Sequence, residues 1–131
     1  MACDDVEVTG DVPSVQPHLH EAAISIVPLR AGGGTRLKIF EAMAAGTPVV
    51  STTVGAEGLD VTPGEHLLIA DEADTFAASV IALLRDDDAR RRVAGRASAL
   101  VRSYDWSAVG ARLEEILRTI VDRKASSERA A

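Results

Sequence analysis

The chain has 131 residues, 47% of them apolar and 26% charged, with a formal net charge of -6. That is enough for one domain with a modest core, and the acidic balance argues against nucleic acid or an anionic membrane as the main partner. The single Cys3 can make neither an internal disulfide nor a cysteine metal cluster. No apolar stretch approaches the roughly 20 residues of a membrane span, and no signal peptide layout opens the chain, so cytoplasm is the expected location.

In chain order, VEVT at residues 6–9 reads as a strand ending at Gly10, and Pro13 with Ser14 opens a short helix reaching Ala22. His18 and His20 sit two apart on that helix and face different ways, so they read as surface residues, not a metal pair. The run ISIVP at residues 24–28 is a short buried strand. A glycine cluster follows, Gly32, Gly33 and Gly34, then a helix that Thr35 is expected to cap, then a second buried run, PVV, at residues 48–50.

A strand, a glycine loop and a helix N-terminus make an anion site. The first-turn amides point outward at the positive end of the helix dipole, and Arg36 and Lys38 add charge there. Glu41 falls on the stripe of Leu37 and Ala44, an apolar face expected to turn inward. Its plain reading is an i,i+3 pair with Lys38; its sharper reading is a carboxylate that accepts from sugar hydroxyls, such as a nucleotide ribose.

Residues 52–66, TTVGAEGLDVTPGEH, are a loop punctuated by Gly55, Gly58 and a Pro63-Gly64 turn. It leaves the carboxyl end of a strand, where open α/β sheets bind ligands, so residues 55–58 are expected to border the site. Glu57 is read first as a solvated loop acid. A last strand spans residues 66–70, and His66 is a strand-end residue. A helix over residues 73–85 carries Phe76, Val80 and Leu83 or Leu84 on one stripe.

Asp86, Asp87 and Asp88 suit the start of the next helix, with Val93, Ala97, Leu100 and Val101 as its packing side and Arg90, Arg91 and Arg92 as a solvated face. The final helix, residues 107–123, carries Val109, Leu113, Ile116, Leu117 and Ile120 on one side, with Ser107 as cap and Trp106 packing at its entry. Residues 124–131 are polar and small, and are expected to be a disordered tail.

The run PLRAGGGTRLKIFEAMAAGTPVVSTTVGAEGL, above all EAMAAGTPVVST, resembles the donor-binding segment of the retaining GT-B glycosyltransferases. That large family includes glycogen synthases, sucrose synthases and many bacterial capsule and lipopolysaccharide transferases. The resemblance extends more loosely from VTGDVPSVQPHLHEA to RSYDW. It implies that Glu41 holds the ribose hydroxyls of a nucleotide-sugar, that the amides of Thr35, Arg36 and Leu37 contact the distal phosphate and sugar, and that Val12 lines the nucleobase. The family's other carboxylate, separated by seven residues from the one matched by Glu41, would fall at Gly33, so the chain departs from the pattern where the transferred sugar is read.

The implied fold is a partial Rossmann-like three-layer α/β domain over residues 1–123, with a mostly parallel sheet that lacks its first strands. Residues 6–9 would then dangle or close up beside residues 24–28, leaving an open edge prone to self-association. The implied activity of the parent is transfer of a sugar to an acceptor hydroxyl with retention. The leaving diphosphate would be stabilised by the Gly34–Leu37 amides, Arg36 and Lys38, with no metal and with an N-terminal acceptor domain supplied outside this chain. The competing reading is a non-catalytic nucleotide-binding or interaction module. A P-loop ATPase is weaker for want of Gly-Lys-Ser/Thr after the glycines, and a redox Rossmann domain for want of G-x-G-x-x-G after a first strand.

Overall fold

A computed structural model describes residues 5–129, with side chains described through Arg123; Cys3 and residues 130–131 lie outside the described residues. The elements are α1 (Gln16–Glu21), β1 (Ser25–Val27), α2 (Leu37–Ala44), β2 (Val49–Ser51), β3 (Leu68–Ile69), α3 (Ala73–Arg85), α4 (Asp87–Val101), a 3-10 turn (Arg102–Tyr104) and α5 (Trp106–Arg129). Among the described residues, no helix is long and apolar enough to cross a membrane.

The three strands form one parallel sheet in the order β1-β2-β3, with Ile26 opposite Val50 and Val50 opposite Leu68. This is the expected α/β architecture. Successive residues of a strand face opposite sides, yet Val49, Val50 and Ser51 are all fully buried, so the central strand is covered on both faces. Helices α2 and α3 pack on β2, and α4 packs on α2 and α3. The core joins Val27, Ile39, Ala42, Met43, Val49, Leu67 and Ala97.

The sequence AAGTP stops α2 by a specific device. Gly46 takes φ +77°, its N–H donates to the Met43 carbonyl at 3.1 Å, and the Thr47 N–H reaches back to Ala42 at 2.9 Å. This pair of bonds satisfies the last carbonyls of the helix, and Pro48 then prevents its continuation. The Thr47 hydroxyl donates to the Leu19 carbonyl at 2.6 Å, which ties the end of α1 to the start of β2.

Several expectations are corrected. Residues 6–9 form no strand and lie exposed, because no neighbouring strand stands beside them among the described residues. Thr35 does not cap α2; Arg36 takes the N-cap position and no side chain caps the first turn. The face of Leu37, Glu41 and Ala44 turns outward, and the buried stripe is Ile39, Ala42 and Met43. The cap of α5 is Asp105, whose carboxylate accepts from the Ser107 N–H at 2.8 Å and from its hydroxyl, while Trp106 is 87% exposed and packs on nothing. Arg90 is no solvated cation: it donates to the Leu83 and Leu84 carbonyls at 2.9 and 2.8 Å and closes the end of α3.

Helix α5 continues to Arg129, past the expected end at Arg123. Its stripe of Val109, Leu113, Ile116, Leu117 and Ile120 is about half exposed, and the helix touches the body mainly through the 3-10 turn. A cleft of about 430 Å3 separates its first turns from Asp60, Leu100 and Tyr104.

Candidate functional site

The loops at the carboxyl ends of the three strands meet, as ligand-binding loops of open α/β sheets do. The Thr52 N–H donates to the Val27 carbonyl at 3.2 Å, and the Thr52 hydroxyl donates to the Leu29 carbonyl while accepting the Gly55 N–H at 3.0 Å. One buried threonine therefore fastens the loop after β2 to the loop after β1. The loop after β3 joins through Asp71, whose carboxylate accepts from the Thr53 N–H and from its hydroxyl, both at 2.7 Å.

The Thr53 N–H, and after it the Thr53 hydroxyl, hold the Asp71 carboxyl below its ordinary value of 3.8. Hydrogen bonds to the charged form favour it. Because the folded value lies below the unfolded one, this contribution to stability is complete above about pH 3.8 and is lost as the pH falls through the lower folded value. Asp105 behaves likewise through the Ser107 hydroxyl first and its N–H second. Thermal melts from about pH 6 down to about pH 2 should therefore show Asp71→Asn less stable than the parent at the upper end, with the difference closing at the lower. A constant difference across that range would refute the assignment.

The glycine loop runs from Gly32 to the start of α2. Gly32 and Gly34 adopt φ of 149° and 87°, which other residues rarely do. The N–H groups of Gly33, Gly34, Thr35, Arg36, Leu37 and Lys38 donate to no group among the described residues, so these donors stand open. Lys38 is exposed and forms no ion pair there. A Cβ at Gly33 would meet nothing within 4 Å.

The Glu41 side chain is exposed, and its carboxylate has no hydrogen bond or ion pair with Lys38 or any other described residue. It lies one turn beyond Leu37 on the same outward face, so one ligand can touch the helix start and this carboxylate together. Val12 is half-buried in the segment before α1 and makes no hydrogen bond to the glycine loop.

Arg36 is placed differently from the expectation. It is 5% exposed, and its guanidinium points inward onto the carbonyls of Gly33 at 3.0 Å, Gly32 at 3.3 Å and Val54 at 2.9 Å. Its remaining contact is Glu57 at 3.5 Å, a carboxylate 73% exposed, so this pair adds little to stability. The Arg36 Nε is buried without a partner, an uncommon feature that costs about 1–3 kcal/mol. Sequence reasoning missed Thr52, Asp71 and the inward turn of Arg36, since their partners lie 18 to 23 residues away and no local spacing marks them.

A family model described as "Glycosyl transferases group 1" matches residues 2–86. A "Phosphatidyl-myo-inositol mannosyltransferase" of Mycolicibacterium smegmatis is 35% identical over 104 residues, covering 78% of this chain and 27% of that protein. The protein of the same description from Mycobacterium leprae is 34% identical over 78% of this chain and 28% of its own length. A "D-inositol 3-phosphate glycosyltransferase" of Corynebacterium glutamicum is 34% identical over 61% of this chain and 20% of its own length. The chain thus spans 27 to 28% of the length of the first two relatives.

Proposed function

Since this chain belongs to the group 1 glycosyl transferases, we propose that it is the distal part of the donor-binding domain of an enzyme that transfers a sugar from a nucleotide-sugar to an acceptor hydroxyl with retention. The observation that carries this reading is the open run of N–H groups at the start of α2, with an unpaired Glu41 one turn on along the same outward face.

In this reading the N–H groups of Gly34, Thr35, Arg36 and Leu37 hold the diphosphate. They are fixed before the reaction, so they stabilise the charge that develops on the leaving group without reorganising. Lys38, and the Arg36 charge behind the loop, add to the same field, and the helix end does the work a metal ion would otherwise do. Glu41 binds the ribose and does not attack. Gly33 leaves room beside the transferred sugar, and Val12 lines the base. The acceptor site belongs to an N-terminal domain of the parent polypeptide. The outer edge of β1, which pairs with no strand among the described residues and where Ile26 is 55% exposed, is a surface for self-association.

Titration of the chain with UDP and with GDP by calorimetry tests the donor site. Binding is expected, and Glu41→Ala should weaken it about 10- to 100-fold, the value of a charge-assisted hydrogen bond pair to the ribose. Equal affinity of parent and variant would remove Glu41 from the site. Absence of binding to either nucleotide would favour the second reading, a non-catalytic interaction module, for which Gly33 in place of a carboxylate already speaks.

A further inference from the structure

We infer that Arg36 is the positioning residue of the diphosphate site: from inside the protein it holds the carbonyls of Gly32, Gly33 and Val54, and so aims the N–H groups of Gly33 and Gly34 outward as donors. This rests on the donor-binding reading above.

Three consecutive glycines lose more conformational entropy on ordering than any other tripeptide, and left to themselves they would not present a fixed set of donors. Here two of their carbonyls are bound by one guanidinium, at 3.3 and 3.0 Å. In a trans peptide the C=O of one residue and the N–H of the next point in opposite directions. No cis bond occurs among the described residues, so fixing the Gly32 and Gly33 carbonyls inward sends the N–H groups of Gly33 and Gly34 the other way. The third carbonyl held by Arg36 shows the same geometry at work. Val54 accepts from the guanidinium at 2.9 Å, and the N–H of the same peptide unit, that of Gly55, points away and donates to the Thr52 hydroxyl at 3.0 Å. The corresponding groups of Gly33 and Gly34 have no acceptor among the described residues. Successive N–H groups directed into one concavity are an anion-binding nest.

The residue type fits the task. Three carbonyls and a carboxylate converge on one planar fork, which arginine can supply and the single ammonium of lysine cannot. At 5% exposure Arg36 does not reach a ligand with its own side chain, so its effect on binding passes through the backbone it holds. Lys38, exposed and unpaired among the described residues, is the cation left for direct contact. Because Val54 belongs to the loop after β2, the same guanidinium couples that loop to the glycine loop, and a shift in one is felt in the other.

The test is a pyrophosphate titration of the 15N-labelled full chain, followed at each backbone amide, with Arg36→Lys as the variant. The amides of Gly33 and Gly34 should shift saturably with the same midpoint as those of Thr35, Arg36 and Leu37. In Arg36→Lys the affinity should fall about tenfold and the Gly33 and Gly34 amides should exchange faster before any ligand is added. Movement of residues 35–37 alone would overturn the inference while leaving the diphosphate site standing, as would a folded Arg36→Lys chain with unchanged affinity and exchange. If no amide moves, the donor site itself fails and this role falls with it. Should Arg36→Lys not fold, the titration of the parent chain still decides.

Discussion

Gly55→Ala is expected to lower stability by about 1–3 kcal/mol, a large share of the roughly 5–15 kcal/mol that holds a small domain together. An added Cβ would stand 2.3 Å from the Ser51 hydroxyl oxygen, 2.9 Å from the Val27 carbonyl oxygen and 3.1 Å from the Thr52 hydroxyl oxygen. Ser51 is fully buried, and its hydroxyl donates to the Thr52 carbonyl at 3.0 Å, so it has nowhere to retreat without losing a partner. The Val27 oxygen belongs to β1 and already accepts the Thr52 N–H. Either the sheet or the loop must shift. A shifted loop draws the Val54 carbonyl away from Arg36, so nucleotide binding should weaken along with stability. Urea unfolding checks the first claim: the midpoint should fall at constant slope, with Gly33→Ala, whose Cβ meets open space, as the control that does not fall. An unchanged midpoint in Gly55→Ala would mean that residues 52–58 are not packed against β1.

Much of this arrangement was legible in the sequence because it is written in local signals. The apolar runs at residues 24–28 and 48–50 have the length and residue types of strands, and each forms one, but only the second is buried throughout: Ile26 of β1 stands 55% exposed because no strand lies beyond it among the described residues. AAGTP between helix and strand spelled a stop that Gly46 executes with φ +77°. Other features depend on partners that local spacing does not reveal. VEVT alternates as a strand should, but a strand exists only beside another, and residues 6–9 have none among the described residues. The α5 stripe was read correctly as apolar, yet sequence says nothing about what covers it, and its residues stand about half exposed. Arg36 looked like a cation for a phosphate because the carbonyl of Val54, which turns it inward, lies 18 residues downstream. The phase of α2 was misjudged for a different reason. LKIFEAMA is apolar nearly all the way round, so two stripes compete and periodicity alone does not choose between them.

That choice sets up a second large effect. Met43→Ala should cost about 2–5 kcal/mol, since Met43 is fully buried among Val27, Ile39, Val49 and Leu67 and its truncation leaves a cavity under the sheet. Leu37→Ala, at a position 60% exposed, should stay within about 0.5 kcal/mol. Had the stripe of Leu37, Glu41 and Ala44 faced the core, the two costs would be reversed and Glu41 would be a buried carboxylate in need of an internal partner. Burial of Ile39, Ala42 and Met43 instead fixes the rotation of α2, and that rotation alone puts Glu41 on the open side beside the free amides. Packing under the helix and the proposed ligand contact above it are therefore two faces of one constraint. Paired urea titrations of Met43→Ala and Leu37→Ala measure it directly. Comparable losses in both would mean that α2 is rotated from the position described, and would take the proposed ribose contact of Glu41 with it.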